Sequence, residues 1–153
     1  MGEHLTVAGE LFMQRSSWRT DQITRPSSIT FGLHNDSVDG ITGTTNDPTN
    51  LTKPDGSSYS DKTISLDGTA IDISENGSNN IEMTNANQQS FDTSDSSNTV
   101  DQYFYLANFD ATAVTNGVNG DNIIITGNLS QSYDLSNVGT LNISATTAGI
   151  EQT

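Results

Sequence analysis

The 153-residue chain has no cysteine, only five basic residues and a single tryptophan. Without cysteine, neither a disulfide framework nor a thiolate metal site can form. Because phosphate neutralisation needs clustered Lys and Arg, we expect no nucleic-acid partner. A membrane-spanning helix needs about 18 or more apolar residues in a row, and no run in this sequence reaches that length. We therefore expect no membrane span.

The charge is one-sided, with 19 acidic residues and a formal net charge of −14. No basic residue follows Lys62, although 11 acidic residues do. Unpaired surface carboxylates repel one another at low salt, and a Debye length of ~3 Å at 1 M salt removes most of that repulsion. The composition favours a salt-adapted protein in a high-salt environment. An ordinary acidic surface that keeps the protein soluble is the alternative.

Hydrophobic residues make up 31% of the chain and charged residues only 16%, the rest being mainly Ser, Thr, Asn, Asp and Gly. This mixture is typical of short strands joined by many turns. Disorder is the competing interpretation, and the clustered Ile, Tyr and Phe of the C-terminal half argue against it. We predict one all-β domain over residues 1–153: an antiparallel β-sandwich, jelly-roll-like, with one short N-terminal α-helix.

The strongest strand pattern lies in residues 121–145. Residues 123–129 alternate between two faces, as do residues 141–145, and the Asp134–Gly139 segment between them has turn composition. We predict that these two strands pair with each other. The consecutive isoleucines 123–125 indicate that the first strand is covered on both faces.

Further strands are predicted upstream, within a sandwich spanning residues 28–146. Asp67-Gly68 between two of them predicts a hairpin with a type I′ turn. Residues 35–59 and 85–99 are long polar loops, the second with Phe91 as its hydrophobic anchor. The predicted strands are Ser28–Leu33, Thr63–Leu66, Ala70–Ser74, Ile81–Met83 and Gln102–Phe109.

Residues 1–20 form the predicted docking segment, in which Gly2–Trp18 has helical spacing. Three of the five bases lie at its end or just beyond it. Cations there complement the helix dipole, which is one sufficient explanation. The other is a basic docking surface for an acidic neighbour. The candidate interface residues are Leu5, Leu11, Phe12, Arg15, Trp18, Arg19 and Arg25.

Catalytic chemistry has little support in the sequence. His34 is the one base that we can name for a Ser-His-Asp unit, no G-x-S-x-G motif accompanies it, and we expect it to be a surface turn residue. We predict a protein that is not an enzyme and needs no cofactor. Oxygen-rich loops, including Asp92–Asp95, suggest Ca²⁺ as a candidate structural cation, without EF-hand spacing. The candidate ligands are Asp36, Asp39, Asn119 and Asp121.

The two ends of the chain carry a resemblance. Leu5–Gly9 (LTVAG) opens the predicted helix, Arg25-Pro26 and Ser28–Asp36 (SITFGLHND) follow in that order, and Gly120–Leu129 (GDNIIITGNL) begins a strand near the other end. This arrangement resembles small structural proteins encoded by tailed bacterial and archaeal viruses. The resemblance implies a virion component, and the composition would place its host, a halophilic archaeon, in a salty habitat.

Two classes of function follow as expectations. The first is a capsid decoration or cement protein, assembled as a symmetric homo-oligomer and bound to other virion proteins such as a major capsid or tail protein. The second is a tail, baseplate or receptor-binding module that contacts the host surface, including its glycans, through the 35–59 and 85–99 loops.

Overall fold

The computed structural model describes residues 4–5, 26–35, 37, 51–67, 69–75, 81–85, 87–109, 120–144 and 149–152. Within these ranges every strand pairing is antiparallel, so the prediction of an antiparallel all-β fold is confirmed. A 3₁₀ helix, Leu135–Asn137, follows β8. The strands are β1 His4–Leu5, β2 Ser28–His34, β3 Lys62–Ser65, β4 Ile71–Glu75, β5 Ile81–Asn85, β6 Gln89–Asp92, β7 Thr99–Phe109, β8 Gly120–Asp134, β9 Thr140–Ile143 and β10 Gly149–Gln152.

The strands form a five-stranded sheet in the order β1-β8-β7-β2-β3, a three-stranded sheet β10-β5-β4 and a two-stranded sheet β6-β9. At the centre of the large sheet, β7 and β8 run for 11 and 15 residues. Their β-branched and aromatic residues suit a pleated surface that is buried on both sides. These two strands provide the frame on which the loops are carried.

One face of the large sheet carries an aromatic core centred on Phe31 of β2. The Phe31 ring lies 5.7 Å from that of Tyr103 and 4.9 Å from that of Tyr105, both on the neighbouring β7, and 5.7 Å from that of Phe91 on β6. Pairs in such tilted arrangements each contribute roughly 0.5–1.5 kcal/mol beyond area burial. Ile71 of β4 belongs to the same buried cluster, so all three sheets share one core.

The opposite face of the large sheet is also buried. Phe104, Leu106 and Ile123 form a second apolar cluster there, with Leu51 packed against it. The sequence places Ile123 and Ile125 on the same face, but the ladder to β7 shifts register between them. Ile123 and Ile125 pair with consecutive β7 residues, so Ile124 is the extra residue of a bulge and the alternation changes face. The prediction that this strand is covered on both faces is confirmed.

The predicted pairing of residues 123–129 with residues 141–145 is wrong. β8 pairs with β7 and β1, whereas β9 pairs with β6, placing Leu141 opposite Phe91. The intervening segment is a turn, as predicted, but it contains the 3₁₀ helix, which leads the chain away from the large sheet.

The predicted hairpin around Asp67 is also wrong. β3 pairs with β2, and β4 pairs with β5 in a different sheet. Asp67 instead accepts hydrogen bonds from the backbone and the hydroxyl of Thr69. The local turn forms, but it connects two sheets rather than two paired strands.

Three further expectations need correction. His4 and Leu5, inside the predicted helix, form the extended edge strand β1 opposite Thr126 and Ile125, and the rest of Gly2–Trp18 lies outside the described residues. The predicted 85–99 loop contains β6, whose Phe91 is fully buried as the expected anchor. His34 is not a surface residue, because it is fully buried in β2.

The part of the chain that the structure describes includes no helix with both the length and the apolar character needed to cross a bilayer.

Candidate functional site

The two predicted polar loops contact each other. Residues 51–61 lie against residues 92–98, and we call the hydrogen-bonded contact between them the loop clasp. It contains two aspartates, one from each loop, and each carboxylate binds the backbone of the opposite loop. Sequence reasoning identified both loops but not their contact.

Asp55 is the first half of the loop clasp. Its carboxylate accepts hydrogen bonds from the backbone N–H and the hydroxyl of Ser97, at 2.7 and 2.8 Å, and from the backbone N–H of Asn98 at 3.2 Å. The Asn98 side chain reciprocates, accepting from the Asp55 N–H and donating to the carbonyl oxygen of Lys53 at 2.7 Å. Two segments more than 40 residues apart are joined in this way.

Asp95 is the second half. It accepts a hydrogen bond from the Ser57 hydroxyl at 2.7 Å, and the Ser58 N–H donates to both of its oxygens at 3.2 Å. Gly56 lies directly beneath it, since a Cβ at this position would be 2.2 Å from Oδ1 of Asp95. The Gly56 N–H donates to the Ser96 hydroxyl at 3.1 Å. The glycine of the Pro54-Asp55-Gly56 turn therefore permits the close approach.

These hydrogen bonds stabilise the ionised carboxylates. Bonds from Ser97 lower the pKa of Asp55, and the hydroxyl of Ser57 is the largest cause of the lowered pKa of Asp95. Hydrogen bonds from neutral donors thus take the place of basic residues, of which the chain has few.

The same chemistry recurs in local turns. Three exposed aspartates accept from the hydroxyl and the backbone N–H of the residue two positions ahead, and in each this lowers the pKa of the carboxyl. Such Asx turns explain why Asp-x-Ser/Thr sequences terminate strands here. The pairs are Asp67 with Thr69, Asp92 with Ser94 and Asp134 with Ser136.

A second group of polar side chains crosses three central strands on the opposite face from the aromatic core. The Thr126 hydroxyl lies 2.8 Å from Oε1 of Gln102, 3.1 Å from the carbonyl oxygen of Tyr103 and 3.5 Å from Nε2 of His34. Gln102 in turn donates to Oδ1 of Asn128 at 2.8 Å. His34, Gln102 and Thr126 are all at most 5% exposed.

This row does not activate a nucleophile. A hydroxyl has one proton, and two carbonyl-type acceptors lie nearer to the Thr126 hydroxyl than Nε2 of His34 does. His34 is therefore placed to donate weakly to the threonine oxygen rather than to remove its proton. The row pairs the buried side chains of Gln102 and Thr126 and links β2, β7 and β8 through His34.

A third group surrounds Asp61, beside the loop clasp. Lys53 Nζ lies 2.5 Å from Oδ2 of Asp61, and the Tyr59 hydroxyl donates to Oδ1 at 2.7 Å. The same hydroxyl accepts the Leu33 N–H at 2.8 Å, replacing the strand partner that β2 lacks beyond the end of β3. Burial, followed by the Asp61 charge, raises the pKa of Tyr59 well above its ordinary value. The hydroxyl therefore stays protonated and remains a donor.

The aromatic ring of Phe104 and the backbone of β2 form the floor of this group. Lys53 Nζ lies 5.1 Å from the centre of the Phe104 ring, a cation–π distance. A Cβ on Gly32 would lie 2.5 Å from Oδ1 of Asp61 and 2.4 Å from Cζ of Phe104. The absence of a side chain at position 32 is what allows Asp61 to lie against the sheet.

The predicted docking residues are not brought together within the described residues. Leu5 lies in β1, opposite Ile125. The other six lie outside the described residues: Leu11, Phe12, Arg15, Trp18, Arg19 and Arg25.

The predicted cation ligands are not brought together within the described residues either. Asp121 lies in β8 opposite Asn108 of β7, whereas Asp36, Asp39 and Asn119 fall outside the described residues. Among the residues that are described, no three acidic or histidine side chains are grouped so that they could share a metal ion. In the Asp92–Asp95 segment, both carboxylates accept hydrogen bonds from serines.

Comparisons with known proteins found no matching family model, no matching curated protein and no matching solved structure.

Proposed function

We propose that the chain is a non-enzymatic structural protein of a virus particle, which decorates or cements the capsid surface as a symmetric homo-oligomer in a high-salt environment. The proposal includes a jelly-roll-like sandwich as the complete scaffold. Its partners would be further copies of itself and a major capsid or tail protein.

The observation that carries the proposal is the position of the motifs behind the viral resemblance. The SITFGLH segment is β2 and Gly120–Leu129 opens β8, whereas Leu5 lies in strand β1, where the resemblance implies a helix. β1, β8, β7 and β2 are consecutive strands of the large sheet. Motifs at the two ends of the sequence therefore contribute to one structural unit, as expected if they define a shared scaffold.

The polar groups of the described residues support a structural role as well. The carboxylates of the loop clasp are held by hydrogen bonds to the opposite loop. The buried side chains of His34, Gln102 and Thr126 link the central strands. A surface whose carboxylates are held by neutral donors suits a protein that must remain assembled in concentrated salt.

Quantitative mass spectrometry of purified particles of the encoding virus tests the proposal. We expect on the order of hundreds of copies per particle, because closed shells repeat their subunits by symmetry. Absence from the particle would refute a virion role. Size-exclusion chromatography with light scattering in high salt should show a discrete oligomer, and a monomer at all concentrations would contradict the oligomeric assembly.

The loop clasp also favours the second candidate, a tail, baseplate or receptor-binding module. It joins the two loops assigned to host contact into one surface whose Asp55, Ser57, Ser94 and Ser97 are exposed. A few tens of copies per particle, together with binding on a glycan array in high salt, would support this candidate. No glycan binding and a copy number in the hundreds would reject it.

A further inference from the structure

The carboxyl group of Asp61 is approached from two sides by groups that can react with it or polarise it. The Lys53 amine contacts one oxygen, and the Tyr59 hydroxyl donates to the other. The Asp61 and Lys53 side chains are 20% and 33% exposed, so both are partly buried. A nucleophile, a carboxyl carbon and a hydrogen-bond donor are therefore held together in one place.

We propose that Lys53 and Asp61 form an intramolecular isopeptide bond. The Lys53 ammonium first transfers a proton to Oδ2 of Asp61, which produces a neutral amine and a carboxylic acid. The Nζ lone pair then attacks Cγ and forms the Nζ–Cγ bond. The Cγ–Oδ2 bond breaks, and Oδ2 leaves as water with the first proton and a second proton from the amine. The amide keeps one N–H, and nothing is oxidised or reduced.

The Tyr59 hydroxyl stabilises the charge that develops during this reaction. Attack on Cγ places negative charge on Oδ1, the oxygen to which the hydroxyl already donates at 2.7 Å. A donor aimed at such an oxyanion before reaction is among the most effective contributions a protein makes to acyl transfer. The second hydrogen bond of Tyr59, from the Leu33 N–H, fixes its hydroxyl in position.

The surroundings of Lys53 and Asp61 hold the two side chains in position for the reaction. The Lys53 amine lies over the Phe104 ring, and the missing side chain of Gly32 lets Asp61 lie against β2. Well-oriented groups within one molecule react as though the partner were present at effective molarities that reach about 10⁵–10⁸ M. Amide formation between Lys53 and Asp61 is therefore much faster than between the same groups on separate molecules.

The bond would close a covalent ring over residues 53–61. This ring contains Asp55, Gly56, Ser57 and Ser58, the half of the loop clasp that lies on the first loop. A cross-link restricts the unfolded chain as a disulfide does, in a protein that has no cysteine. Formation of this bond would follow from the geometry around Asp61 whether or not the protein belongs to a virus particle.

Intact mass spectrometry of the purified, denatured full-length protein tests the bond. We expect a mass lower than that of the sequence by one water molecule. In tandem mass spectra of the peptide spanning residues 20–62, backbone cleavage between positions 53 and 61 should release no fragment ions, because the cross-link keeps the two parts joined. A wild-type mass equal to the sequence mass, unchanged after a week at neutral pH, would overturn the proposal.

Two variants make the test specific. Lys53→Arg keeps the positive charge beside Asp61 and should have the full sequence mass. Aspartyl succinimides also lose one water and form readily at Asp-Gly steps such as Asp55-Gly56, so water loss that persists in Lys53→Arg would overturn the assignment. Tyr59→Phe should lower the bonded fraction at a given time, and an unchanged fraction would remove Tyr59 from its role.

Discussion

Gly32 is the residue at which the backbone of β2 meets two side chains most closely. Its position beneath Asp61 and Phe104 leaves no space for even a methyl group. We predict that Gly32→Ala lowers the free energy of unfolding by about 1–3 kcal/mol, because overpacking forces neighbouring atoms to move. Chemical unfolding followed by circular dichroism measures this change.

Gly139→Ala is the matched control for Gly32→Ala. A Cβ at position 139 would meet nothing within 4 Å, so the same chemical change should leave stability nearly unaltered. Equal losses in the two variants would show that the space around Gly32 is not restricted in the way described.

The loop clasp predicts different effects for two exposed aspartates. Asp55 joins loops that are distant in sequence, whereas the hydroxyl and backbone N–H that bind Asp67 belong to Thr69, two residues away. We expect Asp55→Ala to lower the Tm by a few degrees and Asp67→Ala to lower it much less, because only the first frees two loops from each other. Differential scanning fluorimetry measures the two Tm values, and the comparison is matched because each variant removes one negative charge. A larger effect of Asp67→Ala would contradict the clasp.

Most of the strands could be predicted from the sequence, whereas β1, β6 and β10 could not, and neither could the pairing partners of the predicted strands. Alternation is a local property, so residues 123–129 and 141–143 could be recognised as strands from their own side chains. Pairing is a nonlocal property, and adjacent strands joined by a turn need not pair. The 3₁₀ helix after Asp134 directs β9 to β6, and the turn at Asp67 directs β4 to another sheet.

The candidate site was predictable only in outline. Pro54-Asp55-Gly56 and Asp92–Asp95 have evident turn composition, and Ser or Thr two positions after Asp is a usable signal for local Asx turns. Nothing in one sequence rich in Asp, Ser and Asn tells which loop each carboxylate will bind. His34 was misplaced because its polar sequence neighbours, Asn35 and Asp36, suggested a turn rather than a strand end covered by other elements.

The pairing of β6 with β9 anchors the 85–99 segment in the core through Phe91. Phe91 is fully buried, stacks on Tyr59 at 5.6 Å and lies opposite Leu141. We expect Phe91→Ala to lower the free energy of unfolding by about 3–5 kcal/mol, the usual loss for a buried phenylalanine. Leu66→Ala, at a position that is 40% exposed, should cost roughly 0.5 kcal/mol or less. Similar losses in urea unfolding would contradict the position of β6 in the core.

At the scale of the whole molecule, the net charge of −14 opposes compaction. The loop clasp and the local turns bind their carboxylates with hydroxyl and backbone N–H donors, which carry no net charge. Salt therefore screens the repulsion between carboxylates while leaving these short hydrogen bonds in place. The described part of the molecule is consistent in this respect with a protein that is more stable in concentrated salt than in dilute buffer.

Acid unfolding in about 1 M salt isolates the contribution of these hydrogen bonds, because the long-range repulsion is then screened. Hydrogen bonds hold the pKa of Asp55 and Asp95 below the ordinary 3.8 in the folded state, so the unfolded chain takes up protons first as the pH falls. Their stabilisation is fully present above about pH 4 and is lost as the pH falls through the lowered values. Urea unfolding measured between about pH 5 and pH 2 should show this loss. The Asp55→Ala variant should show a shallower fall, because one contributing carboxylate is gone, and a wild-type stability that stays constant over this range would refute the structural use of the carboxylates.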